Sequence, residues 1–579
     1  VNGSNTSDGS YVQIWDDGNS NNQRWKFESQ GNGLWEIIPQ HATWTRLDVS
    51  SSGTSDGTRV QIWTDNNSNA QRWRVLDQGN GLYELEPAHA PGKRLDISAS
   101  GTTNGTRAQI WTDNNTGAQR FRLLLQSGSP TPTPEPNTNK AKTGINVGFE
   151  TDWAPEQGFA DVIKSSRRWG SSNAPWDESA PIDANGWPTG DAGTVLISAG
   201  KNIHGTYKIS FTGNANINLV ASGGVIQNKV YNSSTNTTTA DLVISNSAQD
   251  QINISFTGQS GGVKNVRIMR PVSPGSSTSY APGTLFTNQL KNVISKFSTV
   301  RFLNWSLANS NQTVNWSDRT LPSYGQQNAR GFGGSRAGIA WEHCIQLVNE
   351  TDTDIWVNVP LKASNDYVIQ LANLLKNNLE PGRRIYVEYS NEIWNTAPGF
   401  SQSNENHDLA RAEVNAGGSP LNFGGETNTW TWAWRRVGKR TKEISDQFRS
   451  VFGDSAMMTR VRPVLEWQQG NLNNTGSSAL EMVDYLAWQS GRSVPYYIYG
   501  GGGSAYYNPD NESDSLTIDN IWNSASFNVN NWLPGVRTDM DFCALYGIRR
   551  VAYEGGPSMD RTGHSESVKA AAWGDARMK

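Results

Sequence analysis

Two glutamates stand where strand-like runs give way to turns. Glu392 lies in residues 384–395, Arg-Ile-Tyr-Val-Glu-Tyr-Ser-Asn-Glu-Ile-Trp-Asn, directly after Asn391 and two residues before Trp394. Glu554 sits in residues 551–556, Val-Ala-Tyr-Glu-Gly-Gly, where the glycines allow a sharp turn and leave room for a ligand. A carboxyl group beside an amide and under an indole suits proton transfer to a sugar oxygen. Two carboxyl groups facing each other, one kept protonated and one ionised, are what cleavage of a glycosidic bond requires. Taken alone, Asn391-Glu392 could instead be a strand-end glutamate pairing with an arginine at a helix start.

The elements that would carry them alternate regularly. Ile385, Val387 and the flanking tyrosines are strand formers. The segment before them, 366–379, has apolar residues at 368, 371, 375 and 379, one face of a 3.6-residue period, with Ser364 or Asn365 as cap. Further strands are predicted at 144–149, 300–303, 355–359, 459–467, 496–499 and 549–553, those from 300 onward each following a helical stretch. Alternation of this length without a Gly-x-Gly-x-x-Gly loop points to a (β/α)8 TIM barrel over a dinucleotide-binding fold. On that register Glu392 follows strand four and Glu554 ends strand seven, at the barrel end where active sites form and on opposing walls. One more helical stretch, 566–578, follows, so the expectation is a fragment cut at both ends, with the barrel truncated before strand eight.

Asn-Glu after a barrel strand, with a second glutamate three strands on, resembles the retaining glycoside hydrolases of clan A. The resemblance runs from about residue 144 to the end and implies Glu392 as acid/base and Glu554 as nucleophile. Around them Tyr499 is a candidate hydrogen-bond partner of the nucleophile and Asn391 a candidate ligand of a sugar hydroxyl. Trp305, Trp394 and Trp467 are candidate stacking platforms, with core or rim roles as the alternative. Glu466 is a rival carboxylate, Glu388 is expected to pair with Arg301 or Arg384 inside the fourth strand, and His343 reads as structural.

Residues 1–126 carry a threefold repeat. Val12-Gln13-Ile14-Trp15, Val60-Gln61-Ile62-Trp63 and Ala108-Gln109-Ile110-Trp111 recur at a spacing of 48, each followed by Gln-Arg-aromatic: Gln23-Arg24-Trp25, Gln71-Arg72-Trp73 and Gln119-Arg120-Phe121. Short strands between Asp-Gly and Asn-Gly turns argue for an all-β module with pseudo-threefold symmetry. The repeats resemble a ricin-type β-trefoil lectin. That resemblance implies sugar pockets at Asp48, Trp63 and Gln71 and at Asp96, Trp111 and Gln119, although Ala70 and Ala118 stand where the pattern has Asn. The first repeat keeps Asn22-Gln23 but lacks the strand that would carry its Asp. The alternative is that these glutamines and tryptophans are only the repeated core of the trefoil.

Between the two regions, 127–142 reads as an extended Pro/Thr-rich linker, of the kind that joins binding modules to secreted polysaccharide hydrolases. Alternating Thr, Ser, Val and Ile within about 191–272 indicate an all-β, sandwich-like insertion in the 143–579 catalytic domain. The chain has 579 residues, a net charge of only -4, which gives no electrostatic case for nucleic acid, and 24 tryptophans, which favour carbohydrate as partner. No apolar run is long enough to span a membrane. Cys344 and Cys543 fall in apolar segments and are expected as buried thiols, and the scattered histidines imply no metal site. The expected protein is a secreted, monomeric, cofactor-free retaining hydrolase of a cell-wall β-glycan, glucan or xylan first. The rivals are a non-catalytic carbohydrate-binding protein and a cell-surface adhesion protein.

Overall fold

The computed structural model describes residues 1–78, 82–124, 141–259, 261–327, 338–469, 472–507, 517–557 and 566–574. Apart from its last two residues, the linker read at 127–142 lies outside them.

The N-terminal unit is all β. Thr45–Val49 pairs with Thr58–Thr64, and Lys93–Ile97 with Ala108–Thr112, so that Asp48 faces Gln61 and Asp96 faces Gln109 in the same register one repeat apart. Val49, Val60, Ile62, Trp73 and Ile110 are sealed from solvent. The Trp73 indole donates to the Leu47 carbonyl at 2.9 Å, so the aromatic of the Gln-Arg-aromatic triplet is a core residue.

The C-terminal unit is a parallel half-barrel with helices. Its seven strands are Ala141–Asn146, Phe297–Arg301, Asp354–Val359, Ile385–Tyr389, Val461–Glu466, Gly500–Gly502 and Arg549–Arg550, paired in chain order and all parallel. Six gaps at the usual strand spacing would put the outer strands of a flat sheet roughly 29 Å apart. Yet Asn146, ending the first strand, hydrogen-bonds Glu554, just past the seventh. The sheet therefore curls until its two edges share a site.

From the second strand onward, each parallel strand follows a helical segment. Asn365–Asn378 starts at Ser364, whose hydroxyl accepts from the Tyr367 amide, and buries Val368, Leu371 and Leu375 before the chain enters Ile385–Tyr389. The sixth strand departs from expectation. Residues 494–497 form a helical turn and the strand is Gly500–Gly502. Glycine is required there by packing, because a Cβ on Gly500 would lie 2.6 Å from the Arg549 carbonyl oxygen.

Between the first two parallel strands lies an all-β insertion of seven antiparallel strands. Ala192–Ile197, Ile252–Thr257 and Asn216–Leu219 form one sheet, and Val225–Asn232, Thr237–Ile244, Gly205–Thr212 and Lys264–Met269 the other. They enclose their own core, built on Trp169, Tyr207, Phe211 and Phe256.

The two units share a core rather than merely a tether. Trp35 and Tyr83 of the N-terminal unit belong to the same buried cluster as Phe542, near the end of the helix Ile518–Leu545, and Tyr546, just past it, and Trp35 meets Tyr546 edge-on at 5.1 Å. Gly31 turns under Trp488, where a Cβ would lie 2.9 Å from the indole. Beside it the Ser29 hydroxyl lies 2.7 and 2.6 Å from the two carboxylate oxygens of Asp484. Burial pushes Asp484 up to about 6, only partly offset by that hydroxyl. A raised folded-state pKa favours the neutral acid, so this contribution to stability is complete below the unfolded value of about 3.9 and is lost as pH climbs through the folded value. The melting temperature is therefore expected to fall between about pH 5 and pH 7 by more in the parent than in Asp484→Asn, as calorimetry across that window would record.

Candidate active site

The fourth strand ends in a kink. Ser390 and Glu392 have φ of 57° and 39°, left-handed values costly for residues with a Cβ. Alternation along Ile385–Tyr389 turns Ile385, Val387 and Tyr389 to one face and Glu388 to the other. The kink then carries Asn391 back toward Glu388 and leaves Glu392 half-exposed at the strand end.

Arg301, the last residue of the second strand, is the hub. Its Nε and Nη2 donate to the two oxygens of Glu388 at 2.9 and 2.8 Å, Nη2 also to Asn391 Oδ1 at 2.7 Å, and Nη1 to Glu554 Oε1 at 2.9 Å. The guanidinium is buried, which costs solvation, and its carboxylate neighbours outweigh that cost and hold its pKa above the ordinary value. Glu388 is buried as well and accepts from the Trp356 indole and the Asn358 amide, each at 2.7 Å. Burial still raises its pKa despite Arg301. Glu388 thus pairs with Arg301, while Arg384 lies beside Asp354 at 3.6 Å.

Glu554 is held on both oxygens. Oε1 accepts from Asn146 Nδ2 at 3.0 Å and from Arg301, and Oε2 accepts from the Tyr506 hydroxyl. Glu392 accepts from the Tyr553 hydroxyl at 2.8 Å on one oxygen and from Asn395 Nδ2 at 2.8 Å on the other. Burial, reinforced by both carboxylates, pushes the Tyr506 and Tyr553 hydroxyls well up, so they remain donors. Tyr553, the chain neighbour of Glu554, binds Glu392, and Arg301 binds both Glu554 and Asn391, the chain neighbour of Glu392, so the two glutamates are brought to one region. Such a pair, one carboxylate fixed by three donors and the other facing it from a more open position, can serve nucleophilic and proton-transfer chemistry.

Other expected site residues fall elsewhere. Trp305 is sealed in the core between Phe159, Phe286 and Phe302, and Trp467 is sealed with its indole donating to Asp539 at 2.9 Å. Neither can be a stacking platform, because no face is open. Tyr499 precedes the sixth strand, at the end away from the glutamates, and its ring lies under Arg462 and Arg549 at 4.5 and 5.0 Å. The phenol that reaches Glu554 is Tyr506, seven residues later, because the strand begins at Gly500. Asn391 is buried and committed to Arg301 and, through Nδ2, to Asn309 at 2.8 Å. Trp394 is half-buried and meets Tyr553 edge-on at 5.8 Å beside Glu392. Glu466 lines a small cavity with Glu388, Glu392 and Trp394, and both of its oxygens are buried without a partner among the described residues. Burial, with Glu388 nearby, keeps its pKa well up. His343 is buried in the helix Trp341–Thr351, its pKa lowered to about 3 by desolvation, and both cysteines are buried and free. No group of three or more His, Cys, Asp or Glu among the described residues is placed to hold a metal ion.

Sequence reasoning missed Asn146, Tyr506 and Tyr553, and saw Arg301 only as a partner of Glu388. Nothing local marks an Asn or Tyr as the donor to a carboxylate hundreds of residues away. An arginine closing the strand Phe297–Arg301 was the one usable signal.

In the N-terminal unit the repeated residues divide by role. Trp63 and Trp111 are 40% and 39% exposed, so they are surface residues and not core. Asp48 and Asp96 are buried and accept from Gln61 and Gln109, each at 2.9 Å. Gln71 and Gln119 are fully buried. Their amides donate to the carbonyls of Thr64 and Thr112 at 3.0 and 3.1 Å and accept from the Asn66 and Asn114 backbone, so they clamp the loop behind each exposed indole.

Arg301→Met should destabilise the chain by roughly 3–5 kcal/mol, since Glu388 would stay buried and unpaired. Arg301→Met with Glu388→Gln should recover a large part of that loss in denaturant titrations. Equal destabilisation by the single and double variants would deny Arg301 this role.

Residues 1–63, 21–111 and 69–133 match the ricin-type beta-trefoil lectin domain-like family. No curated protein matches the chain. Among solved structures, the designed threefold-symmetric protein ThreeFoil is similar at 30% identity and a TM-score of 0.21, over 22% of this chain and 89% of that one. An exo-beta-1,3-galactanase from Clostridium thermocellum is similar at 29% identity and 0.19, over 19% of this chain and 24% of that one. The Rhizoctonia solani agglutinin is similar at 19% identity and 0.19, over 21% and 81%. No helix among the described residues is long and apolar enough to cross a membrane. The chain thus carries at its N-terminus a ricin-type beta-trefoil lectin-like domain, a carbohydrate-binding fold, joined to a parallel half-barrel with an all-β insertion.

Proposed function

We propose that the chain is a secreted retaining glycoside hydrolase acting on a cell-wall β-glycan, glucan or xylan, with the half-barrel as the wall of a (β/α)8 barrel. The observation that carries this reading is the placement of Glu392 and Glu554. They lie past the fourth and seventh strands, each accepts from a phenol of its own, Tyr553 for Glu392 and Tyr506 for Glu554, and their remaining donors are separate. Glu554, immobilised by Arg301, Asn146 and Tyr506, is the nucleophile that attacks the anomeric carbon. Glu392, in the more open position, protonates the leaving oxygen and then, as a base, takes a proton from the water that releases the sugar. In the first step the bond from Glu554 to the anomeric carbon forms as the bond to the leaving oxygen breaks and that oxygen takes the Glu392 proton. In the second the water oxygen bonds the anomeric carbon as the bond to Glu554 breaks and a water proton passes to Glu392, and no metal or cofactor is invoked. Trp394 supplies a face for a sugar ring beside Glu392. The Pro/Thr-rich linker supports secretion, and the chain is proposed to act as a monomer.

The roles are tested by substitution. Glu554→Gln should lower turnover of every substrate by several orders of magnitude, whereas Glu392→Gln should still be glycosylated by an activated aryl glycoside and stall there. Added azide should relieve that stall. Identical behaviour of the two variants, with no rescue, would overturn the assignment, and Glu466→Gln would be tested next. Release of reducing sugar from none of a panel of β-glycans, with binding retained, would leave a non-catalytic carbohydrate-binding protein.

We assign glycan binding in the lectin-like domain to the surfaces around Trp63 with Asp48 and Trp111 with Asp96. Retention of the whole chain on insoluble xylan or on a galactose resin should be lost in Trp63→Ala with Trp111→Ala. Normal retention by that variant would leave the domain a spacer.

A further inference from the structure

The loop after the first parallel strand holds two large aromatics in solvent that the proposed chemistry does not use. Phe149 is 48% and Trp153 40% exposed, although the three residues between them, Glu150, Thr151 and Asp152, are buried. Phe149 stands three residues past Asn146, the donor to Glu554, so the chain can place it no more than about 10 Å from the Asn146 backbone.

The loop is braced from both sides. The Glu150 carboxyl is buried against Gly158, whose carbonyl accepts from the Thr287 amide at 2.9 Å. The Asp152 carbonyl accepts from the Ser198 amide of the insertion at 2.8 Å, and its carboxylate pairs with Arg167 at 2.7 Å. Arg167 in turn lies over the Trp153 ring at 5.9 Å. Gln157 accepts from buried Arg270, at the far end of the insertion, at 3.1 Å. Ordering exposed apolar rings on a rigid frame gives nothing to the core. It does prepare flat surfaces for a ligand with flat apolar faces and polar edges, which describes a pyranose ring.

We propose that Phe149 and Trp153 form a glycan-binding subsite continuous with the Glu392–Glu554 space, and that the all-β insertion serves to brace it. The ligand is a further sugar ring of the same β-linked chain. This rests on the reading of the chain as a glycan-active protein, but not on its turnover.

The test is binding of β-linked hexaoses of glucose, xylose and mannose by calorimetry. The background is Glu554→Gln, which blocks turnover, with Trp63→Ala and Trp111→Ala to silence the lectin-like domain. Adding Phe149→Ala with Trp153→Ala should weaken the best-bound hexaose roughly tenfold or more, the scale of losing aromatic stacking. Trp44→Ala, which removes another exposed indole, should change nothing. Melting temperature should hold, since both side chains are substantially exposed. Unchanged affinity in the double variant, or binding of no hexaose by the background protein, would overturn the subsite. In the chain with Glu554 intact, the double variant should lose rate on polymer while keeping it on a short activated aryl glycoside. Aromatic-dependent binding without turnover in the parent would sink the hydrolase reading and leave the subsite standing.

Discussion

The site depends on one buried cation. Arg301, ending the second strand, gathers Glu388 and Asn391 from the fourth strand and its end and Glu554 from beyond the seventh, and with Asn146 it joins the two edges of the parallel sheet. A buried ion pair is a weak source of net stability, because desolvation consumes most of the Coulomb gain. What it supplies is position. The planar guanidinium offers donors in fixed directions, so each acceptor it meets is oriented as well as held. Glu388 is the counter-charge that makes the arrangement tolerable, and Trp356 and Asn358 complete its hydrogen bonding. The strained backbone at Ser390 and Glu392 fits the same logic, since a regular strand end could not send Asn391 inward and Glu392 outward within two residues.

Around that centre the aromatics separate by environment. Trp73, Trp305 and Trp467 are sealed in cores, whereas Trp63, Trp111, Trp153 and Phe149 are held in solvent by short-range polar scaffolds. In the lectin-like domain the scaffold is a buried glutamine behind each exposed indole. In the loop after the first strand it is Glu150, Asp152 and Arg167. The chemistry is the same: a rigid, wetted ring in place of a packed one, which favours a partner whose own faces are apolar and whose rim is polar.

The shared core between the lectin-like domain and the half-barrel changes what the Pro/Thr-rich segment implies. A flexible spacer would let a binding module sample many orientations. Here Trp35 and Tyr83 are buried with Tyr546 and Phe542, and Ser29 meets Asp484, so the lectin-like domain is held at a fixed attitude to the sheet. The domain is part of the architecture of the C-terminal unit.

By itself the sequence determined whatever is local and periodic. The 48-residue repeat announced the trefoil, and the alternation of strands and helices announced a parallel sheet with Glu392 past its fourth strand and Glu554 past its seventh. Hydrophobic period and turn chemistry act over a few residues, so they survive in one dimension. Tertiary structure decided the rest. It buried Trp305 and Trp467, which look no different in sequence from Trp394. It moved the sixth strand onto three glycines, because neighbouring carbonyls leave no room for a Cβ, and so exchanged Tyr499 for Tyr506 at Glu554. It made Arg301 the hub only once the sheet curled, for the acceptors it joins lie up to 253 residues from it along the chain and meet it through closure of the sheet, which no local pattern encodes.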